Sequence, residues 1–94
     1  MRAASLRAAN LLKTLSNADR LLLLCQLTQG EQSVGELAQL TGIEQPTLSQ
    51  QLAVLRAQGL AATRRQGKQI FYTVASPEAM AVLRVMFELY CQPA

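Results

Sequence analysis

The sequence predicts a mainly α fold with one small β-hairpin, and three observations predict it. Apolar residues recur at helical spacing in five separate stretches. Ser, Asn and Pro start signals and glycine stops punctuate those stretches. Between Ala61 and Val74 the pattern changes to short runs around Gln66-Gly67-Lys68, the second rich in β-branched and aromatic residues.

The first helix, Leu6 through Leu15, carries a stripe of Ala4, Ala8, Leu11, Leu12 and Leu15. Ser16-Asn17 interrupts it, and Asn17 is placed to cap a second helix from Ala18, with Asp19 at the positive end of its dipole. Leu21, Leu24, Cys25 and Leu27/Thr28 form the inner stripe of that helix, and Gly30 ends it. Ser33 with Glu36 three residues on makes a capping box before Val34, Leu37, Ala38 and Leu40. Thr41-Gly42 stops this short helix, and Ile43 reads as a buried turn residue. Gln45-Pro46 opens the next helix, with proline in the first turn, where its missing N–H costs nothing. Leu48, Leu52 and Leu55 form its inner face, and Gly59 ends it. Two short helices joined by a tight turn containing glycine are a helix-turn-helix.

Ala61–Arg65 and Gln69–Val74 pair as a β-hairpin with a basic tip. Ser76 caps the last helix and Pro77 begins it. Its apolar residues (Ala79, Met80, Val82, Leu83, Val85, Met86, Phe87, Leu89 and Tyr90) run nearly all the way round. Such a helix must be buried on every side. The order α-α-α-α-β-β-α is a winged helix-turn-helix. With no internal repeat or linker, residues 1–94 read as a single domain. A chain of 94 residues cannot wrap its own terminal helix, so a homodimer through the first and last helices is expected. Leu11, Leu15, Leu83, Met86, Phe87 and Tyr90 are the expected interface.

Composition excludes several functions. Histidine is absent, which removes Ser-His and Cys-His nucleophile plans and the usual zinc ligand. Aromatics are 4% of residues, too few for single-strand stacking platforms. No nucleophile–base pair or phosphate loop is visible, so no enzyme and no cofactor are expected. Leu21-Leu22-Leu23-Leu24-Cys25 superficially matches a lipoprotein cleavage site. Asp19 and Arg20 interrupt it, however, and four leucines fall short of the roughly 7–15 apolar residues such a leader needs. No run is long enough to span a membrane. A cytoplasmic chain with reduced Cys25 and Cys91 is expected.

Charge points to a partner. The formal net charge is +3, and between Gln45 and Pro77 there is no Asp or Glu, while Arg56, Arg64, Arg65 and Lys68 all lie there. A wholly basic third of the chain suits a surface facing phosphates. In a helix-turn-helix the second helix enters the major groove of double-stranded DNA. Here Gln45, Thr47, Ser49 and Gln50 are the candidates for base edges: Gln pairs with adenine, Ser and Thr with bases or phosphates. Arg64, Arg65, Lys68 and Gln69 on the wing, Ser33 at the preceding cap, and Arg56 are candidates for phosphate. Four uncharged polar residues on a helix are also what simple solvation requires. The basic hairpin beside them favours DNA. A dimer presenting two such helices calls for an inverted repeat with half-sites about one helical turn, or a multiple, apart.

Leu11-Leu12-Lys13-Thr14-Leu15-Ser16, Ser33-Val34-Gly35-Glu36-Leu37, Gln45-Pro46-Thr47-Leu48-Ser49-Gln50-Gln51-Leu52, Arg64-Arg65 and Gln69-Ile70-Phe71-Tyr72 together resemble the ArsR/SmtB family of transcriptional repressors. The usual histidine before the second helix is Asn17 here. The family's arsenic- and cadmium-type site is similar to E-L-C-x-C-D-L, but Ser33 and Gly35 stand at the thiol positions. Its zinc-type site on the terminal helix needs histidines this chain lacks, so no metal site is expected. Cys25 and Cys91, in Leu24-Cys25 and Leu89-Tyr90-Cys91-Gln92, resemble the thiol-based BigR/SqrR/HlyU subgroup. That resemblance implies that sulfide-derived persulfides or oxidants join the two as a disulfide or polysulfide bridge and release DNA.

Read without the family, a free cysteine among leucines is most often a small buried hydrophobe. A helix C-terminus disfavours negative charge, which leaves Cys25 as the candidate attacking thiol, although apolar surroundings count against it. Two alternatives stay open. The thiols suit a soft metalloid if a third ligand is supplied, and a winged fold also serves as a protein-interaction module.

Overall fold

The computed structural model describes residues 1–91. Gln92 and the rest of the expected 1–94 domain lie outside the described residues. The elements are α1 (Arg2–Leu15), α2 (Ala18–Leu27), β1 (Gln32–Ser33), α3 (Val34–Thr41), α4 (Thr47–Ala57), β2 (Ala61–Gln66), β3 (Gln69–Val74) and α5 (Pro77–Tyr90). The expected winged helix-turn-helix is present, with one strand more than expected. β1, two residues long, joins the hairpin as a third antiparallel strand in the order β1-β3-β2. Gln32 pairs with Tyr72 and Ser33 with Phe71, while β2 and β3 pair from Ala61–Val74 to Gln66–Gln69.

The start and stop signals act as the sequence predicts. Asn17 Oδ1 accepts the Arg20 N–H at 3.0 Å. Ser33 Oγ accepts the Glu36 N–H at 3.1 Å while Glu36 Oε1 accepts the Ser33 N–H at 2.8 Å, a complete capping box. Ser76 Oγ accepts the Ala79 N–H at 3.0 Å. Gly42 closes α3 at φ 72°, a left-handed conformation that a side chain would strain. Gly67, at φ 62°, takes the first position of the two-residue turn at the wing tip, where such hairpins favour glycine. α4 starts one residue later than predicted. Pro46 is its cap residue, and Gln45 Oε1 supplies the missing side-chain acceptor for the Ser49 N–H at 3.2 Å.

Leucine builds the core. Leu48, Leu52 and Leu55 of α4 are buried with Leu23, Leu24 and Leu27 of α2, Leu37 of α3 and Leu83 of α5. Tyr72 and Ala61 seat the sheet against it. Two expectations are corrected. Leu23, not among the predicted inner stripe, is fully buried. Leu15 and Leu83, expected at a dimer interface, lie in the core of this chain, because α1 and α5 each turn one edge inward on α2. The remainder of α5 is not covered: Val85, Phe87, Leu89 and Tyr90 are exposed, the last two at 67% and 77%.

Leu55 is fully buried on the inner face of α4. Leu55→Ala should therefore cost about 2–5 kcal/mol of unfolding free energy in urea titration, against about 1 kcal/mol for Ser33→Ala, which removes a cap. A loss for Leu55→Ala no larger than that for Ser33→Ala would contradict this packing.

Candidate nucleic-acid interface and cysteine pair

Burying Leu48, Leu52 and Leu55 turns the opposite side of α4 outward. Ser49 and Gln50 are exposed there, Thr47 is half-buried, and Gln45 is exposed just before the helix. These four are not equivalent. Gln45 Oε1 also accepts from Ser49 Oγ, so those two side chains satisfy each other. Gln50 lies on the outer face beside them. The turn ahead of α4 is held by Thr41, whose hydroxyl donates to the Leu37 carbonyl at 2.6 Å and accepts the Ile43 N–H at 3.2 Å.

The wing splits its basic residues. Side chains alternate along β2, so Arg64 and Arg65 fall on opposite faces of the sheet. Arg64 pairs across the strands with Phe71, and its guanidinium lies 4.6 Å from the centre of that ring. It also grips Glu31 with both arms, Nε to Oε2 at 2.7 Å and Nη2 to Oε1 at 2.6 Å, and donates from Nη1 to Gln66 Oε1 at 2.8 Å. The bidentate fork is the strong form of a carboxylate pair. It holds the Glu31 carboxyl below the usual carboxylate range and keeps the Arg64 guanidinium charged. Arg65 donates to the Gly67 carbonyl at 3.1 Å. Lys68 and Gln69 are exposed at the tip. Arg56 is exposed in the last turn of α4, where a cation suits the helix dipole, and makes no ion pair among the described residues.

Ser33 is placed differently from the expectation. Only 6% exposed, its side chain is committed to the cap of α3, so it does not stand on the surface as a phosphate donor. Glu31 was not legible as a functional residue, because its contact with Arg64 spans the whole helix-turn-helix and has no local signal.

Cys25 on α2 is half-buried and packs against the core; Cys91 caps the end of α5 and is exposed. Burial pushes the Cys25 thiol up, and charge repulsion from Cys91 pushes it up further. The packing of α5 on α2 thus sets two thiols that lie far apart in the sequence on neighbouring helices. Among the described residues there is no cluster of three or more His, Cys, Asp or Glu to hold a metal.

The profile of the ArsR family of bacterial regulatory proteins matches residues 17–63. The biofilm growth-associated repressor of Xylella fastidiosa is 54% identical over 83 residues, which span 88% of this chain and 73% of that protein. The transcriptional activator HlyU of Vibrio cholerae is 44% identical over 88 residues, 94% of this chain and 82% of that one. The chain belongs to the ArsR family. Its architecture agrees: the structure of reduced HlyU from Vibrio cholerae superposes with a TM-score of 0.94 at 43% identity, covering 98% of this chain and 97% of that one. The repressor BigR from Xylella fastidiosa gives 0.92 at 49% identity, covering 99% and 95%. This ArsR-family chain is accordingly a winged-helix transcriptional regulator of the BigR and HlyU type and not an enzyme. No helix among its described residues is long and apolar enough to cross a membrane.

The Glu31–Arg64 pair gives a pH signature. A carboxyl lowered in the folded state contributes stability above the ordinary Glu pKa and loses it as pH falls through the lowered value. In an NMR titration of side-chain carboxyls, Glu31 should titrate below the ordinary glutamate range in the parent protein and return to it in Arg64→Gln. An unchanged Glu31 midpoint would show that the fork does not persist in solution.

Proposed function

We propose that this chain is a homodimeric, cytoplasmic transcriptional repressor that binds an inverted-repeat operator and lets go when Cys25 and Cys91 are joined. The observation that supports the reading is the packing of α5 on α2, the helices that carry Cys91 at one end and Cys25 respectively. Its DNA-facing side is α4 with Gln45, Thr47, Ser49 and Gln50, flanked by a wing bearing Arg65, Lys68 and Gln69. Arg56 and Arg64 add positive charge, the latter already committed to Glu31. Dimerisation is supported by the apolar residues α5 leaves outward, among them Phe87 and Tyr90, together with the half-buried Met86 and Leu11. A chain this small does not normally leave such a stretch in water.

Cys25, expected as the attacking thiol, is half-buried against the core, so the exposed thiol, Cys91, meets the inducer first and Cys25 attacks second. Its thiolate attacks the sulfane sulfur of an organic persulfide RS–SH and expels RS⁻, giving Cys91–S–SH. The Cys25 thiolate then attacks the Cys91 sulfur and expels hydrosulfide. Two thiols and one persulfide become one disulfide, one thiol and one hydrogen sulfide, with the persulfide as the two-electron oxidant. With an organic trisulfide the same two displacements release two thiols and leave a bridge of three sulfurs. Either bridge ties α2 to α5. Because α5 also sets how two subunits sit on each other, the bridge alters the spacing or tilt of the paired α4 helices. Losing a few base contacts worth about 1–3 kcal/mol each is enough for release.

Three outcomes are expected in fluorescence anisotropy on a palindromic duplex. An organic polysulfide releases the parent protein, whereas Cys25→Ser and Cys91→Ser stay bound after the same treatment. Release of the serine variants as readily as the parent would end the thiol reading and leave the repressor reading standing. Arg65→Gln and Lys68→Gln each lower the slope of log affinity against log salt by about one, and Arg64→Gln lowers it less. Transcription from the operator rises on polysulfide treatment of a repressor; a fall would make this chain an activator.

A further inference from the structure

We infer that Arg20 and Gln51 form a positioning pair that fixes the recognition helix α4 against the end of α1 and so sets the angle at which α4 meets DNA; the inference rests on the DNA-binding reading above. Arg20 stands in the first turn of α2, its own N–H held by Asn17. That is the positive end of a helix dipole, where a cation is disfavoured, so α2 itself gives no reason for an arginine there. The side chain supplies the reason. Its Nε donates to the Thr14 carbonyl at 2.7 Å and its Nη1 to Gln51 Oε1 at 3.0 Å. Thr14 lies in the last turn of α1, where carbonyls have lost their intrahelical donors and carry the negative end of the dipole. One half-buried guanidinium therefore satisfies an open carbonyl of α1, extends from α2, and holds α4.

The leucines of α4 cannot do this alone. Apolar packing is non-directional: it fixes how close α4 sits to the core and leaves its roll and tilt less determined. A planar guanidinium with two donors in fixed geometry constrains direction as well as distance, which an ammonium does not. Gln51 is half-buried, at the edge between the inner leucines and the outer Gln50. With its acceptor turned inward to Arg20, it serves the placement of the helix. The neighbouring Gln50 is left for the groove. If α1 contributes to the dimer, the same bond carries the position of that helix to the reading surface.

A double-mutant cycle tests this with Gln51→Met, which keeps the length and loses the acceptor, and Arg20→Lys, which keeps the charge and loses the fork. Binding to the operator duplex and to an unrelated duplex is measured over a range of salt. Each single variant should weaken operator binding about tenfold, with the salt slope and the binding to unrelated duplex unchanged. The double variant should lose no more than the worse single. Additive losses, or relaxed preference at one operator base pair in Gln51→Met, would overturn the pair, since Gln51 would then act independently of Arg20. Hydrogen exchange on the DNA-free protein supplies a second measurement. Amides in the first turns of α4 should exchange faster in both singles and no faster in the double; unchanged exchange in α4 would overturn the inference whatever the DNA result. A parent protein that grips no duplex would sink the DNA-binding reading and the angular role with it, while exchange would still decide whether the pair holds α4.

Discussion

The seating of Leu48, Leu52 and Leu55 on the leucines of α2 and α3 is the constraint from which the remaining geometry follows. These three side chains are among the most buried in the molecule. Their spacing of four and three residues commits one face of α4 inward and leaves the other for solvent or a groove. The same packing positions α2, so Cys25 sits half-buried beside the core on a helix that α5 packs against. The outward face of α4 and the placement of Cys25 are thus two consequences of one leucine layer. A change in how α5 lies on α2 has a mechanical route to α4, because α2 touches both.

What the sequence disclosed was local. Asn17, Ser33 with Glu36, Gly42, Gly67 and Ser76 announce helix ends and turns through chemistry that operates within four residues, and each does so here. What it concealed was non-local. β1 is two residues long, and only its pairing with Phe71 and Tyr72, across the whole helix-turn-helix, makes it a strand. Glu31 and Arg64 meet across a similar span, as do Arg20 and Gln51. No periodicity foretells such contacts. Leu15 and Leu83 fail as interface residues for a related reason. Helical periodicity ranks positions by face, but it cannot say whether an inward face is satisfied by the chain itself or by a second copy.

The wing shows how charge alone misleads. Four basic residues in an acid-free stretch read as one electrostatic footprint, yet Arg56 lies on α4 and strand alternation divides Arg64 from Arg65 on the wing. Arg64 is turned to Phe71 and Glu31, while Arg65 falls on the other face, near the tip that carries Lys68. An exposed ion pair ordinarily adds little stability. A bidentate fork backed by an aromatic ring has a different use. It holds the middle of the hairpin to the segment entering α3, so the wing and the helix-turn-helix keep one orientation. A wing tip is only as well aimed as the strand that carries it.

In the proposed switch, thiol chemistry and groove reading are joined by geometry and not by proximity. Neither cysteine lies on α4 or the wing, so a bridge between them gains nothing by touching DNA. The proposed bridge acts by choosing among positions of α5 relative to α2. A helix whose apolar residues remain outward in one chain suits that role, because its position is set by whatever covers it as much as by its own core contacts. Apolar packing is bistable and not continuously deformable, which lets a shift of small amplitude at one end of α5 register as a change of arrangement between the subunits of the proposed dimer. A directional bond such as that from Arg20 to Gln51 converts such an arrangement into an orientation of the reading helix. Loose apolar contact at that point would absorb the shift before it reached the groove.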